Sequence, residues 1–227
     1  MSSDVLVDLS AFQHADTMFP SGAVSFSFGL EALVNAGIVA GPDDLAGFLT
    51  AQLRGRWADL DRPALWHAHR AGADLDAVGR LDRLVEAQTL GAEQRLGSTR
   101  MGAAFLGVHA KLGSSLAETY RRRIAEGRGC GHLPVMQGMV WQALSFPHER
   151  ALLMSAHGLL TGMLGTAIRL SVAGYVESQR LHAALLPVVA EILETPICAP
   201  NEMRGFCPQI EIASMIHETD DARLFMN

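Results

Sequence analysis

Lysine is almost absent. Of the 18 basic residues only Lys111 is a lysine, and it sits in Ala110-Lys111-Leu112. A phosphate-cradling P-loop needs Gly-Lys-Ser/Thr, so the sequence excludes a P-loop NTPase. Excess positive charge is missing as well: the formal net charge is −6. Proteins that grip a nucleic-acid backbone are normally basic, so nucleic acid is not an expected partner. Aromatic residues make up only 6%, and no stretch repeats the strand-turn alternation of a sheet. Sheets favour β-branched and aromatic residues, whereas the abundant Ala, Leu and Gly suit packed helices. The three cysteines, Cys130, Cys198 and Cys207, are too few and too scattered for a disulfide framework, and the odd count fits a reducing compartment. The start, Met1-Ser2-Ser3-Asp4, has neither the basic residues nor the apolar run of a secretory signal. A cytoplasmic protein is expected.

What is present is helical period. Hydrophobic residues are 49% of the chain against 19% charged, ample for a core and too apolar for disorder. Leu45, Phe48, Leu49 and Leu53 fall on one helix face behind Asp43 and Asp44 as capping residues. Leu75, Val78, Leu81 and Val85 form a second stripe, with Asp76, Arg80, Asp82, Arg83 and Glu86 placed on its polar face. Ser115 and Glu118 read as a capping box. Pro187 interrupts the apolar period of Leu181 to Leu193, so a kink or break is expected there. A last helix should begin at Pro208, with Ile212, Met215 and Ile216 buried. Segments 16–25, 127–134 and 197–207 read as irregular, and Gly-Arg-Gly-Cys-Gly-His in the middle one reads as a mobile loop.

The stretch from Ala151 to Ile168 carries no formal charge, lies between Arg150 and Arg169, and reaches the lower limit for a membrane span. It contains Ser155, His157, Thr161 and Thr166, and no second span accompanies it. A buried central helix opened by Pro147 is the expected reading, with Gly158, Gly162 and Gly165 allowing neighbouring helices to approach closely. A small membrane-associated helical protein is the rival. The expected fold is all-α: one single-domain bundle of about ten helices around this central apolar helix, over residues 1–227.

Candidate chemistry is thin. Ser25-Phe26-Ser27-Phe28-Gly29 approaches a hydrolase elbow, but Ser25 replaces the first glycine and no strand precedes it. A helix start capped by Ser25 or Ser27, with Glu31 in its first turns, is simpler. His67 and His69 are two apart and point to different helix faces. Cys130 and His132 are able to reach one ion, yet two ligands do not close a site. His157, inside the apolar helix, reads as a satisfied core histidine. Arg121-Arg122-Arg123 reads as a solvated helix face, and Glu93, Arg95, Arg100 and Glu177 as residues that pair in the core or face a partner. No catalytic site and no closed metal site are expected.

The end of the chain is anomalous. After Glu218-Thr219-Asp220-Asp221 it finishes Ala222-Arg223-Leu224-Phe225-Met226-Asn227, although termini are usually polar and frayed. Large apolar residues there either fold back on their own core or anchor another protein, as a buried aromatic does at an interface.

Several of these features coincide. The segment from Phe19 to Glu31 (Phe-Pro-Ser-Gly-Ala-Val-Ser-Phe-Ser-Phe-Gly-Leu-Glu) resembles the N-terminal signature of the UreF-type urease accessory proteins. Arg95 to Gly102 (Arg-Leu-Gly-Ser-Thr-Arg-Met-Gly) is similar to that family's mid-chain motif, and Ile168-Arg169-Leu170 to its central Val-Arg-Leu. Ile212-Ala213-Ser214-Met215, His217-Glu218 and Arg223-Leu224-Phe225 resemble its C-terminal hallmark. The resemblance implies a helical, cytosolic, usually dimeric protein without catalysis of its own. It would bridge a UreD/UreH-type scaffold and a nickel-carrying UreG-type GTPase, and so promote nickel insertion into apo-urease. The missing P-loop fits that division of labour. No cofactor is implied, since nickel is handled by the complex. On the same resemblance the partner-binding residues are Ser25, Gly29, Glu31, Arg100, His217, Glu218, Arg223, Leu224 and Phe225, with 219–227 a docking tail. A helical metal-binding protein or enzyme using Cys130 and His132 is the alternative.

Overall fold

The computed structural model describes residues 3–20, 22, 25–217, 224 and 225; for residues 3, 4, 209, 210, 214, 216 and 217 it describes the backbone alone. Among these residues there is no strand. The helices are α1 (Ser3–Ala15), α2 (Leu30–Asn35), α3 (Pro42–Ala51), α4 (Arg62–Ala71), α5 (Leu75–Gln88), α6 (Ala92–Lys111), α7 (Ser115–Ala125), α8 (Leu133–Ala143), α9 (His148–Arg169), α10 (Tyr175–Glu194) and α11 (Pro208–His217). A π-helical segment, Gln52–Asp61, joins α3 to α4 without a break. The described residues therefore form ten continuous helices, as the all-α reading expected.

The local chemistry accounts for most boundaries. Pro42 opens α3, where its missing N–H costs nothing, and the Asp44 carboxylate accepts the Ala40 amide at 3.0 Å. Asp74 caps α5 by accepting the amides of Asp76 and Ala77. The cap of α7 is Ser114, one residue earlier than expected: its hydroxyl accepts the Ala117 amide at 3.2 Å, and Glu118 pairs with Arg121 instead. At α2 the expected serine cap is replaced by Gly29 at φ 83°, with no side-chain cap. Helix α10 runs through Pro187 unbroken. Both Pro187 and Ala183, whose carbonyl loses its partner, lie on the exposed face, where water can satisfy that oxygen.

Two apolar clusters make the core. The first gathers Leu65 of α4, Val85 of α5, Phe105 of α6, Tyr120 of α7 and Met136 of α8. Gly138 is what lets α4 and α8 meet, since a Cβ there would overlap the Leu65 carbonyl oxygen. The second gathers Leu30, Leu45, Leu49, Leu53 and Trp57 against α9 and α10. Helix α9 belongs to both: Ala151, Leu152 and Met154 to the first, Leu160, Met163 and Leu164 to the second. The most apolar 18-residue window in α9 is 56% buried inside the structure, so it is the central core helix.

Two packing expectations are overturned. Gly158, Gly162 and Gly165 have nothing within 4 Å of where a Cβ would stand; they face open space rather than a tight helix contact. On α11, Ile212 and Met215 are exposed, and among its described side chains the buried ones are Glu211 and Ala213. Helix α11 lies against α2 and α6. Ile216 lies outside the described side chains.

Candidate functional site

The chain from Phe26 to Glu31 is held from two sides. The Thr166 hydroxyl of α9 donates to the Phe26 carbonyl at 3.2 Å, and the Gln52 amide donates to the Phe28 carbonyl at 3.1 Å. Phe28 and Gly29 both take positive φ, 56° and 83°, which turns the chain sharply into α2. Glycine takes that conformation freely, whereas Phe28 needs the surrounding bonds to hold it there. Glu31 follows in the first turn of α2, only 2% exposed, where the helix dipole favours a negative charge.

That carboxylate receives the end of the chain. Its Oε1 accepts the Leu224 amide at 2.7 Å and its Oε2 the Phe225 amide at 3.0 Å. Phe225 is 6% exposed, and the Arg169 guanidinium lies 4.3 Å from its ring centre, a cation–π contact. Arg169 in turn donates to the Gly165 carbonyl at 3.2 Å and the Thr166 hydroxyl at 3.0 Å. Three segments far apart in sequence thus meet: Gly29-Leu30-Glu31, Ile168-Arg169-Leu170 and Leu224-Phe225. Hydrogen bonds to a charged group are each worth about 1.5–3 kcal/mol, enough to hold a chain end that would otherwise fray.

Of the residues singled out from sequence, Glu31, Leu224 and Phe225 are brought together, with Gly29 shaping the turn. Phe225 packs on its own chain while Leu224 is 78% exposed. Ser25 and Arg100 are exposed. On α6, just past the second motif, Ala104 lies next to Gly22 and the Phe105 ring lies 6.1 Å from that of Phe19. Glu218 and Arg223 lie outside the described residues, as does the His217 side chain. Arg169 was visible in sequence only as a motif residue and a helix flank. Its place under the tail comes from tertiary packing.

Between the two core clusters lies a cavity of about 350 Å³. Trp57, Met101, Phe105 and Trp141 give it apolar walls, the Gly158, Gly162 and Gly165 face of α9 forms one side, and Arg169 and Phe28 also line it. Trp141 Nε1 and Asp61 Oδ1 on its wall are buried without a hydrogen-bond partner among the described residues, which suits a cavity able to hold water.

The Gly-rich segment after α7 is clasped, against the expectation of a mobile loop. Asp82, placed on a polar face by the sequence reading, is fully buried. Its Oδ2 accepts the Tyr120 hydroxyl at 2.9 Å and the amides of Cys130 and Gly131 at 2.7 and 2.8 Å, and its Oδ1 accepts the His132 amide at 2.9 Å. Burial and this charge keep the Tyr120 phenol protonated. A Cβ at Gly102 would overlap the Gly131 carbonyl oxygen, so α6 presses directly on the loop. Asp82, Cys130 and His132 are also a group whose side chains lie close enough to hold one ion. Their hydrogen bonds speak for a structural role. His132 Nε2 donates to Glu86 at 2.7 Å and Nδ1 accepts the Ser98 hydroxyl at 3.1 Å, a tautomer assigned from these partners. Burial and the Asp82 charge push the Cys130 thiol up to about 11, so it is protonated at neutral pH and a poor ligand.

Other histidines named from sequence are placed by their partners. His67 bonds the Cys198 carbonyl, while His69 bonds the Phe146 carbonyl and His148. His157 is exposed and stacks edge-on with His182 at 5.3 Å, so it is not a core residue. Arg95 pairs with Glu86 and Glu177 with Arg180. Within Arg121-Arg122-Arg123, Arg123 is largely covered and pairs with Asp76.

Comparison with known proteins identifies the family. The sequence profile of the UreF family matches residues 39–186. The urease accessory protein UreF of Trichodesmium erythraeum is 32% identical over 236 aligned positions, covering 100% of both chains. Urease accessory protein UreF 1 of Brucella melitensis is 29% identical, over 96% of this chain and 92% of its own. The UreF protein of Yersinia pseudotuberculosis is 29% identical, over 95% and 96%. With a profile spanning more than half of the chain and a full-length relative above 30% identity, this chain belongs to the UreF family of urease accessory proteins.

Proposed function

We propose that the chain serves urease maturation as a non-catalytic accessory that holds other proteins together. Its partners in this reading are a UreD/UreH-type scaffold, a UreG-type GTPase and apo-urease, and it works in the cytoplasm as a homodimer. The observation that carries the reading is the meeting of three family motifs at Glu31. Nothing there resembles a nucleophile with its base. Uncovered apolar side chains support it. Leu6, Leu9, Phe12 and Met18 are exposed at and after α1, and Ile212, Met215 and Leu224 towards the chain end. Apolar surface of that kind marks protein contacts. In this reading the partner-binding residues are Ser25, Gly29, Glu31, Arg100, His217, Glu218, Arg223, Leu224 and Phe225, with 219–227 the docking tail and the buried Glu31 acting by holding that tail. Phe225 anchors the tail on its own chain, and Leu224 is presented outward.

The test is co-purification. The tagged chain is co-expressed with the urease subunits, the scaffold and the GTPase, and both recovery of partners and urease activity after nickel addition are measured. The full chain should retrieve the scaffold and raise activity, and a chain ending at Glu218 should retrieve less. Retrieval of no component by the full chain would sink the proposal.

A further inference from the structure

The pairing of His69 with His148 takes no part in the tail contacts or in the Asp82 clasp. It joins α4 to the first residue of α9, 79 positions apart. His69 is 5% exposed, and its Nε2 donates to the Phe146 carbonyl at 2.8 Å. A neutral imidazole carries a single N–H, so this bond leaves Nδ1 as the basic nitrogen, a tautomer assigned from its partners. Burial holds the His69 pKa below its usual value, which keeps that lone pair available at neutral pH. The lone pair meets His148 Nδ1 at 2.9 Å. His148 is exposed, and the charge of Glu149 favours a positive charge at His69. Histidines that ligate a metal characteristically give their other ring N–H to a backbone carbonyl or a carboxylate, as His69 does. Two nitrogens about 2.0–2.1 Å from one ion lie about 3.0 Å apart at a right angle and about 3.4 Å apart at the tetrahedral angle. The separation of 2.9 Å fits adjacent corners of a square-planar or octahedral ion, so it suits Ni²⁺ or Cu²⁺ better than Zn²⁺.

We propose that His69 Nδ1 and His148 Nδ1 form an open two-nitrogen site for one exchangeable divalent ion of the Ni²⁺ or Cu²⁺ kind, with water on its remaining positions. The ion takes the place of the proton now shared between the rings. His148 gives up its Nδ1 proton to water and takes one from water on Nε2, so the pair stays neutral and each ring offers one lone pair. Two protein ligands do not close a site, so the ion binds and leaves rather than being retained. The inference does not rest on the docking of partner proteins: it concerns the chain alone, and either reading can fail without the other.

The test titrates NiCl2 into the metal-free full-length chain, followed by calorimetry and by indole fluorescence. Trp66 is the reporter, because its ring lies 6.3 Å from that of His148 and a paramagnetic ion at the pair quenches it. The wild-type chain should take up Ni²⁺ at this site with a Kd on the order of 10 µM, with quenching in step. His148→Ala, a change at an exposed position, should weaken binding at least about tenfold and remove the quenching. His157→Ala, which removes the other exposed histidine of α9, should change binding less than about twofold. Trp66→Phe should keep the binding and lose most of the quenching, and ZnCl2 should bind more weakly than NiCl2. No Ni²⁺ binding at about 1 mM, or equal binding by wild type and His148→Ala, overturns the proposal. So does a loss from His157→Ala as large as that from His148→Ala, binding without quenching, or Zn²⁺ binding tighter than Ni²⁺.

Discussion

Asp82 and Glu31 are two buried carboxylates that do the same chemistry in different places. Each gathers backbone amides, three for Asp82 and two for Glu31. Asp82 holds an internal loop between α7 and α8, adds the Tyr120 hydroxyl, and has α6 pressed against it through Gly102. Glu31 holds a chain end whose Leu224 side chain faces solvent. One clasp cannot open without parting helices of the core. The other, in its described contacts, is two hydrogen bonds and a ring contact. The same hydrogen-bond chemistry gives a fixed or a releasable join, depending on how much packed structure must move with it.

The comparison can be broken at its strong end first. Asp82→Ala strands three loop amides and a phenol, so urea unfolding should show a loss of about 4 kcal/mol or more; a loss under about 1 kcal/mol would remove the clasp. Acid should act on the same half of the molecule. His109 is 1% exposed, and burial lowers its pKa from 6.5 to about 4, helped by nearby His14. The folded state therefore binds the proton less readily than the unfolded chain. Stability is full above pH 6.5 and falls by up to about 3 kcal/mol as pH drops towards 4. Melting curves across that window check the sign, and His109→Phe should flatten it. Gly102→Ala forces the loop carbonyl aside and should cost about 2 kcal/mol in the same unfolding assay.

At the weak end, the tail can open locally, so Glu31→Gln should change global stability by about 2 kcal/mol at most. Its effect should appear as faster hydrogen exchange at Leu224 and Phe225, with the rest of the chain unchanged. A global loss as large as that of Asp82→Ala would make the two clasps equivalent. The smallest effect is a gain. Gly162→Ala adds a Cβ into open space on α9 and should stabilise by about 0.5–1 kcal/mol through helix propensity. A loss there would mean that another helix packs on the glycine face.

Much of the fold was legible. The stripe Leu45, Phe48, Leu49, Leu53 is buried as its spacing predicts, and α11 starts at Pro208. Asp82 was misread although the signal was present: it stands four residues after Val78 and three before Val85, on the buried stripe itself. Its charge argued for solvent, and only the amides of a loop some 50 positions later (|i−j| of 48 to 50) reverse that argument. The glycines of α9 were misread in the opposite sense, because a small residue permits close packing without requiring it. Of the candidate site, Glu31 and Phe225 were each visible as motif residues, but nothing local links positions 193 and 194 apart.

The sequence by itself determined that the chain is helical, which helix lies at the centre, that no P-loop is present, and which motifs it shares with UreF proteins. Those follow from period, composition and short-range spacing, all properties of neighbouring residues. Tertiary structure alone decided that Phe225 lies under Arg169, that Glu31 and Asp82 are buried acceptors, and that the glycine face of α9 borders a cavity. Each depends on which distant amide or ring fills the space beside a side chain, and a buried charge is stable only once that partner is in place.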